Sequence, residues 1–186
     1  RISVQSLARV RPLERVHLYD ADPARARALA SDAAPTLACP VEVVTDVRSA
    51  ARRCGVIVTC TPSHQPLLDR DDVAPGTFIA AVGADHPHKL EIAPALMAAS
   101  VVVTDITAQC ASFGDLRHAL AAGLISPDHV RAELGAVLCG SARGRTRPDE
   151  TIVFDSTGTA LQDVTVAALA YERAERTSSG TRLQLL

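Results

Sequence analysis

Short β-branched runs alternate with alanine-rich amphipathic stretches along most of the 186 residues. Ile2, Val4, Leu7, Ala8 and Val10 read as the later turns of a helix. Arg15-Val16-His17-Leu18-Tyr19 alternates and stops at Asp20, the pattern of a strand. Asp22-Pro23 supplies an N-cap and an N1 proline for an Ala/Arg-rich helix running to Ala33. Val41–Thr45 predicts a second strand and Asp46–Arg53 a short helix. Gly55–Cys60 is apolar along its length, as a strand buried on both faces should be. Thr77–Val82, Val101–Thr104 and Thr151–Asp155 predict three more strands. Asp115 predicts the cap of a helix ending near Ala122. Ser126-Pro127 predicts another helix, with Val130, Leu134 and Leu138 on one face and Gly140 at its end. Residues 158–176 form the longest helical pattern, with Leu161, Val164, Ala168 and Tyr171 on one face. Leu183–Leu186 reads as a terminal strand. Strands alternating with helices imply an α/β fold with a parallel sheet covered on both faces.

Composition narrows the function classes. Nineteen basic against 21 acidic residues, a net charge of −2, leave no electrostatic footprint for nucleic acid. No apolar run reaches the ~18 residues of a membrane span, so a cytoplasmic protein without membrane contact is expected. The five cysteines are odd in number and form no CxxC pair, which fits reduced thiols better than disulfides. No metal site is expected: His86 and His88 flank Pro87 but have no third ligand in view. Arg143, Arg145 and Arg147, in an Arg/Gly/Pro segment, read as a solvated loop rather than a phosphate contact. Eighteen of the 19 basic residues are arginine; Lys89 is the single lysine, which raises the question of what an ammonium does there that a guanidinium cannot.

In a parallel α/β sheet, ligands bind outside the carboxyl ends of the strands. Four strand ends carry candidate chemistry. Asp20 closes the first strand, where a carboxylate could accept the ribose hydroxyls of a dinucleotide and repel a 2′-phosphate, favouring NAD over NADP; a plain turn aspartate is the other reading. Thr61, in Thr59-Cys60-Thr61-Pro62-Ser63, could hydrogen-bond a cofactor. In Val82-Gly83-Ala84-Asp85, the glycine permits close backbone approach, and Asp85 places a candidate acid/base at the top of the sheet, four residues before Lys89. Ser156 or Thr157 could cap the last helix or meet an anionic group there.

Together these segments resemble the ornithine cyclodeaminase/mu-crystallin family. The matching pieces are Val10–Val16 leading to Tyr19-Asp20, Val58–Ser63, Pro75-Gly76-Thr77 through Asp85 with Lys89 and Glu91, Ala132–Gly135, and Thr151–Gly158 through Gln162-Asp163. They cover nearly the whole chain. The resemblance implies a Rossmann-type, doubly wound parallel sheet binding NAD(P), beside a domain for substrate binding and dimerisation. It implies hydride transfer at the Cα of a small L-amino acid or its imine: ornithine-to-proline cyclodeamination, alanine dehydrogenation or ketimine reduction. A non-catalytic, mu-crystallin-like binder of dinucleotide and small ligand is the alternative.

Carried over by position, Asp85 matches the family's catalytic acid/base. Asp20, Thr61, Val82, Gly83, Ala84, Lys89 and Ser156 match cofactor contacts, and Thr157 matches a substrate-side position where other members carry an apolar residue. The chain opens at Arg1, and the family's first strand, Gly-rich loop and substrate-binding basic residues are expected before it. Residues 1–155 would then be an incomplete NAD(P)-binding domain. Residues 156–186 would belong with the absent substrate and dimerisation domain, and the piece alone would be inactive. In the intact protein, Asp20→Ala should weaken the preference for NAD over NADP. Comparing kcat/KM for the two cofactors checks this, and an unchanged ratio would remove the ribose role from Asp20.

Overall fold

The computed structural model describes residues 1–183. It contains seven parallel strands in two groups, with helices between them. The first group is β1 (Val16–Leu18) beside β2 (Val41–Val43), with Val16 opposite Val41. Helix α1 (Ile2–Val10) precedes it and α2 (Pro23–Ala33) joins its strands. Asp22 caps α2 by accepting Ala24 N at 2.8 Å, and Asp46 caps α3 (Val47–Ala51) by accepting Ser49 N at 3.0 Å.

The second group is a five-stranded sheet in the order β3-β4-β7-β5-β6. Its strands are β3 (Val56–Thr59), β4 (Phe78–Ala81), β5 (Val101–Thr104), β6 (Val130–Glu133) and β7 (Ile152–Asp155). The last strand among the described residues, β7, occupies the centre, bonded to β4 on one side and β5 on the other. Ile79, Ala81, Val102 and Val153 are its inward residues. Helices α4 (Pro94–Ala99), α5 (Thr107–Phe113) and α6 (Asp115–Ala121) cover them with Leu96, Met97, Cys110, Leu116 and Ala119. Burying such side chains stabilises by roughly 1.5–3 kcal/mol for each large one.

β1 and β3 do not pair. A cavity of about 260 Å³, lined by Leu7, Leu18, Val56, Val58, Leu67 and others, lies between them. No helix among the described residues is long and apolar enough to cross a membrane.

Four sequence expectations are corrected. Residues 126–140 are not one helix: a 3-10 turn (Pro127–His129) leads into β6, and α7 (Leu134–Leu138) follows. Val-Arg-Ala-Glu fits either period, and ladder bonds to β5 decide for the strand. Asp115 does not cap α6, because Gly114 holds the N-cap position and Asp115 lies within the helix, buried. Neither Ser156 nor Thr157 caps α8 (Ala160–Thr177); its N-cap is Thr159, with no side-chain bond. The expected strand at Leu183–Leu186 lies, apart from Leu183, outside the described residues. The arginine segment is a clamp rather than a purely solvated loop. Arg131 grips Glu150 with two bonds, at 2.9 and 3.0 Å, and Thr146 adds its amide and hydroxyl to the same carboxylate. Arg145 donates to the Glu150 carbonyl, while Arg147 pairs with Asp149 at the surface.

A carboxylate from β7 replaces the missing cap of α6. Asp155, with no exposed surface, accepts Leu116 N at 2.9 Å and Asp115 N at 3.3 Å. A Cβ on Gly114 would lie 2.5 Å from the Asp155 carboxylate, so that approach requires glycine. Burial pushes the Asp115 carboxyl up to about 7 and, with the charge of Asp115 second, Asp155 up to about 8. Each therefore binds its proton more tightly folded than unfolded, where an aspartate titrates near about 3.9. Their contribution to stability is full at or below that unfolded value and is lost as pH rises through the folded values. The urea midpoint of the full-length protein should fall from pH 5 to 8 and level off beyond, as followed by circular dichroism. A midpoint rising over that interval would contradict the assignment.

Candidate active site at the strand ends

Strands run parallel within each sheet, so β3, β4, β5 and β7 deliver their following residues to one edge, and the charge of Asp20, just past β1, is felt there at Cys60. The sequence candidates gather there. Asp20, just past β1, uses Oδ1 to accept Asp22 N at 2.8 Å, so it shapes the turn into α2. Its other oxygen takes no hydrogen bond from the described residues. The charge of Asp20 reaches across to Cys60 at the end of β3: that thiol is pushed up by burial, then by Glu91, and in part by Asp20.

Thr61 gives both of its donors to one acceptor. Its amide and its hydroxyl donate to Glu91 Oε1 at 2.6 and 2.8 Å, and the hydroxyl oxygen accepts Ser63 N at 3.2 Å. Gly83 N donates to the other oxygen of Glu91, at 3.0 Å. A Cβ on Gly83 would lie 2.5 Å from Thr61 N and 2.6 Å from the Glu91 carboxyl group. Glycine at 83 is thus explained by the meeting of the β3 and β4 ends over Glu91. Val82 offers apolar surface, 39% exposed, beside it, whereas Ala84 is fully buried.

Asp85 projects outward from the same loop with its side chain 57% exposed. Lys89 Nζ donates to Asp85 Oδ1 at 2.5 Å. That hydrogen-bonded ammonium holds the Asp85 carboxyl below its ordinary range. The pair is anchored from α6. Arg117 donates to the Pro87 carbonyl at 3.1 Å, and His118 Nε2 meets the Lys89 carbonyl at 2.8 Å. At the far side of the edge, Ser156 Oγ and Gly158 N each donate to Asp105 Oδ2 at 2.8 Å. The Asp105 carboxyl is lowered, its burial outweighed by bonds from Cys110, Ile106, Ser156 and Gly158. Thr157 Oγ1 is buried with no hydrogen-bond partner among the described residues. An orphaned hydroxyl of this kind costs free energy unless something else supplies the bond. Among the described residues no three His, Cys, Asp or Glu side chains form a metal-holding group.

Sequence reasoning missed Glu91 as a site residue, together with Asp105, Arg117 and His118. Glu91 stands two residues after Lys89 in the matched pattern, but its partners lie 30 and 8 residues away. The bonds of Arg117 and His118 span 30 and 29 residues, and no local motif announces them.

Comparison with known proteins places this edge in context. The model of the ornithine cyclodeaminase/mu-crystallin family matches residues 2–178. An iminosuccinate reductase of Paracoccus denitrificans is 42% identical over 172 residues, which are 92% of this chain and 52% of the reductase. An archaeal alanine dehydrogenase dimer with bound NAD superposes with a TM-score of 0.92 at 33% identity, over 99% of this chain and 57% of that one. The Δ1-pyrroline-2-carboxylate reductase of Thermococcus litoralis, in complex with NADH and L-proline, gives 0.94 at 26% identity, over 97% and 56% of the two chains. The chain spans about half the length of the curated relatives it matches.

The Asp85–Lys89 geometry yields a test independent of turnover. In Lys89→Met the Asp85 carboxyl should titrate at higher pH than in wild type, while Lys89→Arg keeps most of the depression. Carboxyl ¹³C NMR titration of the full-length protein reads this directly. Identical Asp85 titration in wild type and Lys89→Met would show that the pair is not coupled.

Proposed function

Since the chain belongs to the ornithine cyclodeaminase/mu-crystallin family, we propose that it is the dinucleotide-binding, acid–base part of an NAD-dependent oxidoreductase or cyclodeaminase. Its substrate would be a small L-amino acid or the corresponding imine. The single observation that carries the reading is Asp85: an exposed, ionised carboxylate paired to Lys89 at the strand edge where such folds bind ligands.

The residues fit a nicotinamide dinucleotide. Asp20 stands where the ribose hydroxyls of the adenosine half would be accepted. Thr61, Val82 and Gly83 form the surface between β3 and β4, while Thr157, whose buried hydroxyl has no partner among the described residues, belongs to the substrate side. Thr61 would act there through its hydroxyl lone pair and methyl, since both donors are committed to Glu91. Ser156 would act through the Asp105-anchored turn that it stabilises. The nicotinamide supplies reversible hydride exchange with Cα.

Asp85 has the remaining task. Oxidising an amino acid to an imine releases a proton from the nitrogen, and reducing the imine returns one. A carboxylate held ionised by Lys89 can accept that proton, and exposure lets it exchange with water. Lys89 offsets the charge of Asp85 without occupying its second oxygen, which remains open to a substrate ammonium.

Residues 156–186 contribute a different surface. Leu161, Val164, Leu169 and Tyr171 on α8 are all more than half exposed. Such a face belongs against another body. We assign it to the substrate and dimerisation domain of a homodimer.

In the full-length protein, NADH oxidation with Δ1-pyrroline-2-carboxylate or iminosuccinate, and NAD reduction with L-alanine, test the redox reading. Proline formation from L-ornithine is read by product analysis, because the cofactor is regenerated. Asp85→Asn should lower turnover by about 10²–10⁴-fold, the usual contribution of a positioned acid/base, with NAD affinity little changed. Turnover at the wild-type rate in Asp85→Asn would overturn the role.

A further inference from the structure

Glu91 has no exposed surface, yet it lies directly beneath the loops that end β3 and β4. A carboxylate so far from water needs compensation. It receives three bonds, all from neutral groups: the Thr61 amide, the Thr61 hydroxyl and the Gly83 amide. No lysine or arginine among the described residues comes within salt-bridge distance of it. Neutral donors satisfy the lone pairs but leave the net charge in place. By contrast, the Asp85 carboxylate on the same loop is offset by Lys89. The field of Glu91 is felt at the strand edge: after burial, it is the largest cause raising the Cys60 thiol.

We infer that Glu91 sets a fixed negative potential under the surface formed by Thr61, Val82 and Gly83, which favours a cationic ring over a neutral one there. The inference rests on the reading that this surface takes a nicotinamide. The oxidised ring is the cation and the reduced ring is neutral, so Glu91 favours binding of NAD⁺ relative to NADH. Bound there, a nicotinamide would carry its positive charge only after giving up a hydride, so the field of Glu91 would favour that state, while Asp85 would relay a proton from water to the imine nitrogen. The buried carboxylate therefore tilts bound cofactor toward imine reduction. It acts through its field, touching neither substrate nor cofactor.

Calorimetric titration of the full-length protein with NAD⁺ and with NADH, at one pH and salt concentration, tests this. Glu91→Gln keeps the size of the side chain, removes its charge and loses one acceptor. The lost hydrogen bond affects both titrations, so the ratio Kd(NAD⁺)/Kd(NADH) isolates the charge. That ratio should rise about fivefold, the size expected of one charge acting through intervening polar groups. Glu91→Asp keeps the charge and should stay within about twofold of wild type even where its unfolding temperature drops. If Glu91→Gln does not fold, Glu91→Ala, in which water can take the three donors, is read in its place. An unchanged ratio in the charge-removing variant, or an equal rise in Glu91→Asp, overturns the inference while dinucleotide binding stands. If wild type binds neither form, the dinucleotide reading itself fails and takes this inference with it.

Discussion

Buried carboxylates holding main-chain amides are the constraint on which the strand-end edge depends. Strands of a parallel sheet end in loops whose N–H groups have no ladder partner, and each buried one must be satisfied. Here three acids do so in series. Asp155 on β7 accepts the first amides of α6. Asp115 in α6 accepts the amides of Glu91 and Ile92, at 2.8 and 3.1 Å. Glu91 accepts those of Thr61 and Gly83. The central strand is thereby tied through one helix to the ends of two other strands. Gly83 and Gly114 are required where carboxylates press against backbone. Packing alone would not fix the loops this closely, because apolar contact is not directional while a carboxylate–amide bond is.

The same side-chain chemistry serves opposite ends in this molecule, and environment decides which. Asp115 and Asp155 lie out of water, and burial raises both. Asp85 stands in solvent beside Lys89 and is lowered. The first two build the edge, and the third is available on it to exchange protons. Lys89 suits this place because a compact ammonium on a flexible stem can meet one carboxylate oxygen and leave the other free, whereas a guanidinium fork would tend to take both.

Most elements were legible in the sequence because local chemistry specifies them. Asp22-Pro23 and Asp46 start helices where the caps are observed, and the β-branched runs at 56–59 and 101–104 are strands. The stretch 126–140 was misread because Val130–Glu133 carries both periods, and only the edge of β5 chooses between them. Asp115 was misread because an acid at a helix start usually caps it, whereas here the cap comes from a residue 40 positions away. Of the site, Asp85 and Lys89 could be read from the matched pattern. Glu91, Asp105, Arg117 and His118 could not, because their partners are brought to them by strand order and not by spacing.

The sequence by itself determined the alternation of strands and helices, the family, and which residue types stand at each strand end. Those follow from periodicity and short motifs, which act within a few residues. Tertiary structure alone decided which acids are buried and which are free. It turned Thr61 and Gly83 inward onto Glu91, gave Ser156 to Asp105, left the Thr157 hydroxyl without a partner among the described residues, and inserted β7 at the centre of the sheet. Burial and hydrogen-bond partnership are properties of positions in space, and a parallel sheet sets them by joining residues far apart in the chain.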